Sequence, residues 1–151
     1  MKFSREPAIL VCSHGSLCMG LIDTVSMVIG DMQEVDAMPL LRGADIDEYE
    51  KRVRQYVDSK DGNVILLLDV VGGSPYNTAM KLCRQREICA IAGANFAMLA
   101  SAVEARENYS EYEDADALAA AIEAEAKEAV RNVMPELKIM YQMAKTMSEQ
   151  V

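Results

Sequence analysis

Tryptophan is absent from this 151-residue chain, phenylalanine occurs twice, and there is one histidine, His14. A single imidazole excludes any metal site built on several histidines. Basic side chains are in deficit, with 15 Lys and Arg against 24 Asp and Glu, a net charge of −9. A surface of that sign repels phosphate backbones, so nucleic-acid binding is excluded. No apolar run approaches the ~20 residues of a membrane span. The opening Met1-Lys2-Phe3-Ser4-Arg5-Glu6-Pro7 lacks the cleavable apolar core of a signal peptide. A soluble, cytoplasmic protein is expected. The four cysteines, Cys12, Cys18, Cys83 and Cys89, form no C-x-x-C pair. That spacing does not suit structural zinc, and a disulfide framework is not expected in a reducing compartment. There is no internal repeat and no low-complexity linker.

Strand-like and helix-like segments alternate, which implies parallel α/β units. Ala8–Ser13 reads as a buried strand and Ser16–Gly30 as the helix after it. Val35–Leu40 is a second strand. Asp45 then opens a helix in which Ile46, Tyr49, Val53, Tyr56 and Val57 recur at helical spacing. Val64–Val70 is the most apolar strand and suits a central, doubly covered position. A helix follows from Pro75 to Gln85, with Ser74 as its N-cap. Ile88–Ala92 is a fourth strand, and Gly93-Ala94-Asn95 turns into a helix holding Met98, Leu99, Ala102 and Val103. The acidic stretch Glu107–Asp116 reads as a mobile surface loop, and Ala117–Val151 as helix divided by Pro135. The eleven methionines are mainly core filler. The predicted fold is an open, doubly wound, mainly parallel sheet of four to five strands, flanked by helices and ending in a helical tail. Residues 1–134 are expected to form the domain and 135–151 a helical extension of it.

In such sheets ligands bind beyond the carboxyl ends of the strands, where strand order reverses. Two candidate side chains fall there: His14 after the first strand and Asp69 near the end of the third. Imidazole, with an unperturbed pKa of about 6.5, is a competent nucleophile near neutral pH. A carboxylate bonded to one ring nitrogen fixes the tautomer and stabilises the positive ring formed on attack. Asp69 is assigned that part. A phosphoryl group needs hydrogen-bond donors, and the helix openings offer them. The candidates are the backbone after His14, at Gly15 and Ser16, together with Gly72, Gly73 and the Ser74 hydroxyl. Taken singly these pieces are common; their combination points to phosphate chemistry on histidine.

The ordered set of Ser13-His14-Gly15, Leu68-Asp69, Gly72-Gly73-Ser74-Pro75-Tyr76-Asn77 and Ile91-Ala92-Gly93-Ala94-Asn95 resembles the enzyme IIA domains of the mannose family of the bacterial phosphotransferase system. The resemblance spans roughly Ala8 to Val133. It implies that His14 accepts a phosphoryl group from phospho-HPr and passes it to a IIB component, for sugar uptake through membrane IIC and IID subunits. It further implies that Asp69 is the histidine's partner, that Ser74 contacts phosphate, and that the protein is a homodimer with an exchanged edge strand. No cofactor and no metal are expected. The chain departs from the family at Val70-Val71, where an aromatic often precedes the paired glycines, and in a longer tail. There Leu137, Met140 and Tyr141 are placed to cover the sheet or add to a dimer contact. The phosphocarrier subunit of phosphoenolpyruvate-dependent dihydroxyacetone kinase also resembles this layout. A tetrapyrrole metal chelatase and a non-catalytic regulatory module are the readings from other classes.

Overall fold

The computed structural model describes residues 1–151. Four strands, β1 (Ala8–His14), β2 (Val35–Leu40), β3 (Val64–Leu68) and β4 (Cys89–Ala92), form one sheet in the order β2-β1-β3-β4. Every pairing is parallel. The helices are α1 (Leu17–Ile29), α2 (Ile46–Ser59), α3 (Ser74–Leu82), α4 (Phe96–Glu107), α5 (Ala115–Glu128) and α6 (Met134–Glu149). The chain leaves β1 for β2 on one side and returns to place β3 on the other. The sheet therefore reverses direction between β1 and β3, the position where open α/β sheets bind ligands.

Alternation along the inner strands builds two apolar layers. Ile9 and Val11 of β1 and Ile65 and Leu67 of β3 pack towards α1, α4 and α5. Ala8, Leu10 and Cys12, with Val64, Leu66 and Leu68, pack towards α2 and α3. All five residues of β3 are buried, which explains its unbroken apolar sequence. β2 carries Pro39 and is only partly covered, as suits an edge strand.

Several boundaries differ from the sequence reading. β3 stops at Leu68, before Val70, because the Asp69 carboxylate folds back to accept the Val70 amide and the chain turns out of the ladder. The N-cap of α3 is Gly73, in extended backbone, and not Ser74. Ser74 is instead the first helical residue and makes no side-chain cap bond. That helix ends at Leu82, where the bonds from Arg84 to Lys81 and Gln85 to Leu82 tighten the chain into a turn.

The stretch Glu107–Asp116, expected as a loop, is built structure. It comprises the end of α4, a 3-10 turn at Tyr109–Glu111, and Asp114 accepting the Ala117 amide as cap of α5. Tyr109 and Tyr112 pack against the apolar layer, and the Ala115 amide donates to the Met1 carbonyl at 2.8 Å. The break in the final helical segment falls at Ala129–Val133, and Pro135 sits in the first turn of α6. No residue of α6 is buried, so the tail does not cover its own sheet.

Candidate functional site

β1 and β3 are paired with Cys12 opposite Leu68, and the Asp69 amide extends that ladder to the Cys12 carbonyl. This register places Asp69 beside the residue two beyond Cys12, which is His14. The two meet twice. The His14 amide donates to Asp69 Oδ2 at 2.9 Å, and His14 Nδ1 lies 2.7 Å from the same oxygen. Asp69 Oδ1 accepts the Val70 amide at 2.9 Å. The carboxylate side chain is 10% exposed and the imidazole 49%. Burial pushes the Asp69 carboxyl up, but the His14 amide, the His14 ring and the Val70 amide outweigh it. The net effect holds the group below the usual carboxylate range. An ionised Asp69 beside Nδ1 favours a proton on that nitrogen and leaves Nε2 as the free lone pair.

The glycines that surround the pair have distinct tasks. Gly15 adopts φ +56°, which turns the chain sharply from β1 into α1, and its amide donates to the Leu40 carbonyl at 2.8 Å. Gly15 therefore has no free donor for an anion, contrary to the sequence expectation. The amides of Ser16, Gly72, Gly73 and Ser74 donate to no protein group. Gly72 takes φ +87° and presents the opening of α3. A Cβ at Gly73 would lie 2.5 Å from Cε1 and 3.3 Å from Nε2 of His14. The missing side chain makes room for the imidazole itself, a close approach that sequence reasoning had reserved for phosphate. The Ser74 hydroxyl makes no hydrogen bond to the pair and borders a separate hollow of about 330 Å³ with Glu50 and Lys81.

Ser13, which the sequence reading did not single out, braces the site. It is 1% exposed, and its hydroxyl accepts the Cys18 amide at 2.8 Å, tying the first turn of α1 to the strand that carries His14. A hydroxyl next to the histidine and five residues before a helical amide was the available signal. Cys12, one residue further back, is buried, and its thiol is pushed up to about 12. It is a packing residue, not a reactive thiol.

His14 stands on an open ledge and lines none of the principal hollows, the largest of which lie along α4 and α5 and beside Met1 and Arg86. Leu17, three residues after His14, and Val70 and Val71, directly after Asp69, are exposed apolar side chains. No three metal-capable side chains gather anywhere in the molecule. No helix is long and apolar enough to cross a membrane.

The protein-family model described as "PTS system fructose IIA component", the mannose-type EIIA family, matches residues 8–123. The chain belongs to this family. Among curated relatives, the mannose-specific EIIAB component of Escherichia coli strain K12 is 30% identical over 117 residues. That match covers 74% of this chain but 36% of the relative, so the chain spans about a third of that protein's length. The fructose-specific EIIA component of Bacillus subtilis strain 168 is 24% identical over 104 residues, covering 67% of this chain and 71% of the relative. A solved structure of the PTS IIA protein associated with the fucose utilization operon of Streptococcus pneumoniae is 28% identical, with a TM-score of 0.72. It covers 91% of this chain and 99% of its own. The EIIA component from Streptococcus agalactiae superposes with a TM-score of 0.74 at 21% identity, covering 83% of this chain and 95% of its own, and shares the fold. This EIIA chain is thus a phosphotransferase-system protein with the phosphocarrier role of its family, and its four-stranded parallel sheet is the family's architecture.

Proposed function

We propose that His14 is the phosphorylated residue and that it relays a phosphoryl group from phospho-HPr to a IIB component. The observation that carries this reading is the 2.7 Å contact between Nδ1 and Asp69, on an imidazole that is 49% exposed. In the forward step the Nε2 lone pair attacks phosphorus and the phosphorus–nitrogen bond of the donor breaks. The proton on Nδ1 stays in place against Asp69, whose charge balances the ring as it becomes cationic. Backbone amides of Gly72, Gly73 and Ser74 at the start of α3 are the donors for the transferred oxygens. The second step is the reverse, with the acceptor's nucleophile taking the group from Nε2.

An exposed histidine suits this task better than a buried one. Both donor and acceptor are proteins, and each has to lay its own reacting side chain against Nε2. The apolar rim of Leu17, Val70 and Val71 gives a partner dry surface to cover during transfer. Membrane IIC and IID subunits would be served only through the IIB component.

We also infer a homodimer. One edge of β4 is unpaired, and beside it lies a hollow of about 500 Å³ lined by Ala90, Ile91, Ala92, Met98 and Val130. An open apolar edge of that kind calls for cover by another chain.

The test is reconstitution with labelled phosphoenolpyruvate, enzyme I and HPr. Acid-labile label is expected on this chain, and His14→Ala is expected to abolish it. Label that persists in His14→Ala overturns the assignment. Discharge by a IIB component, and not by the nucleotide-binding subunit of a dihydroxyacetone kinase, identifies the acceptor.

A further inference from the structure

Helix α6 presents a surface that nothing in its own chain covers. Met134, Leu137, Met140, Tyr141, Ala144 and Met147 recur at spacings of three and four residues, so they share one side of the helix. None of them is buried. Ile139 and Met143, also exposed, widen the stripe beyond half the circumference, more than the seam that a single facing helix covers. A shape of that width fits a groove between two helices. One such groove exists, a hollow of about 630 Å³ between α4 and α5, floored by Phe96, Ala100, Ala105 and Tyr112. Glu104 and Glu125 stand on its rim. Neither is in an ion pair, and neither are Lys138 and Lys145 of α6. Those lysines are seven residues apart, about 10 Å along the helix, on one flank of the apolar stripe. Two unpaired cations therefore border the helix face, and two unpaired anions border the groove.

We infer that α6 seats in the α4/α5 groove of a second copy of this chain, with the two copies exchanging helices reciprocally. This rests on the homodimer inferred above and assigns a new element to it. The elbow before α6 favours reach over folding back. Asn132 accepts the Met134 amide at 3.0 Å, Arg131 pairs with Glu136 at 3.1 Å, and no residue of α6 lines the chain's own groove. Area also decides for exchange. Six half-exposed apolar side chains contribute roughly 60 Å² each, so one seat buries roughly 700 Å² counting both partners. That falls short of the ~1,200 Å² at which stable interfaces begin, whereas two reciprocal seats reach it.

Sedimentation of the full chain and cross-linking separate the possible outcomes. In a Cys83→Ser background, which removes the one exposed thiol, Tyr141→Cys and Ala100→Cys are joined with a short bis-maleimide. A covalent dimer is the expected product. A dimer in sedimentation that yields no cross-link overturns the α6 seat and leaves the homodimer standing. A link within one chain assigns the groove to the chain's own helix and overturns the exchange. A monomer in sedimentation overturns both. Leu137→Glu with Tyr141→Glu is expected to weaken self-association at least tenfold while His14 is labelled at the normal rate. Unchanged association in that variant overturns the proposal.

Discussion

The two ends of the sheet handle charge in opposite ways. At the carboxyl end, His14 and Asp69 form a pair whose imidazole is half in solvent, and the amides of Gly72, Gly73 and Ser74 have no partner. At the amino end, Arg106 is 4% exposed and multiply paired, with only its Nε outside hydrogen-bond geometry. Its guanidinium donates to the carbonyls of Pro7, Gln33 and Glu34 and pairs with Glu6 at 3.0 Å. One end leaves backbone donors unpaired; the other uses side-chain donors to join the loops that precede β1 and β2. Open donors suit a surface that meets other molecules, and paired ones suit a joint that holds the fold.

Three substitutions and an acid titration test that division. The largest effect is expected from Asp69→Asn, which removes the charge opposite Nδ1. The phosphorylation rate of His14 should fall roughly a hundredfold, with the circular dichroism spectrum unchanged. A rate within threefold of the wild type would break the contrast. At the other end, Arg106→Ala leaves three carbonyls without their donor and should cost about 2–3 kcal/mol of stability by urea denaturation. The folded fraction should still be labelled at the normal rate. Loss of labelling without loss of stability would place Arg106 in the chemistry after all.

A smaller effect is expected from Gly73→Ala. The backbone at Gly73 has φ −80°, which alanine adopts freely, so the methyl group acts by displacing the imidazole, whose Cε1 lies 2.5 Å from the new Cβ, and by crowding Val70 Cγ1 at 3.2 Å. Labelling should slow roughly tenfold with stability nearly unchanged, and NMR of the ring should report its movement. The subtlest test is acid titration. The Asp69 carboxyl titrates below its unfolded value, so its charge stabilises the native state above the ordinary carboxylate pKa of about 3.9. That contribution is lost as pH falls through the depressed native value. The stability of the wild type should therefore decline more steeply below about pH 4 than that of Asp69→Asn. Parallel curves would show that the pair is not coupled to folding.

Much of this was legible in one dimension. Unbroken apolar runs located β1 and β3, helical spacing located α2, and the position of His14 and Asp69 after such runs identified them as residues of one end. What the sequence did not carry was detail at single residues. Gly15 looked available, yet its amide is consumed by Leu40, a residue 25 positions away on a strand paired through the sheet. The space beside Gly73 was read as room for phosphate, yet the His14 ring fills it, while the Gly73 amide stays unpaired. Arg106 passed unnoticed even though it falls on the same face of α4 as Leu99 and Ala102, and a cation on a buried stripe signals a paired guanidinium.

Local patterning determined which segments would be strands and helices, since period and turn chemistry are properties of neighbouring residues. It also determined that an imidazole and a carboxylate would share the carboxyl end of a parallel sheet. The tertiary structure alone decided that β1 and β3 lie side by side with Cys12 against Leu68, bringing two residues 55 positions apart to within 2.7 Å. Register and the fate of each amide depend on which distant chain supplies the partner, and no local pattern encodes that choice.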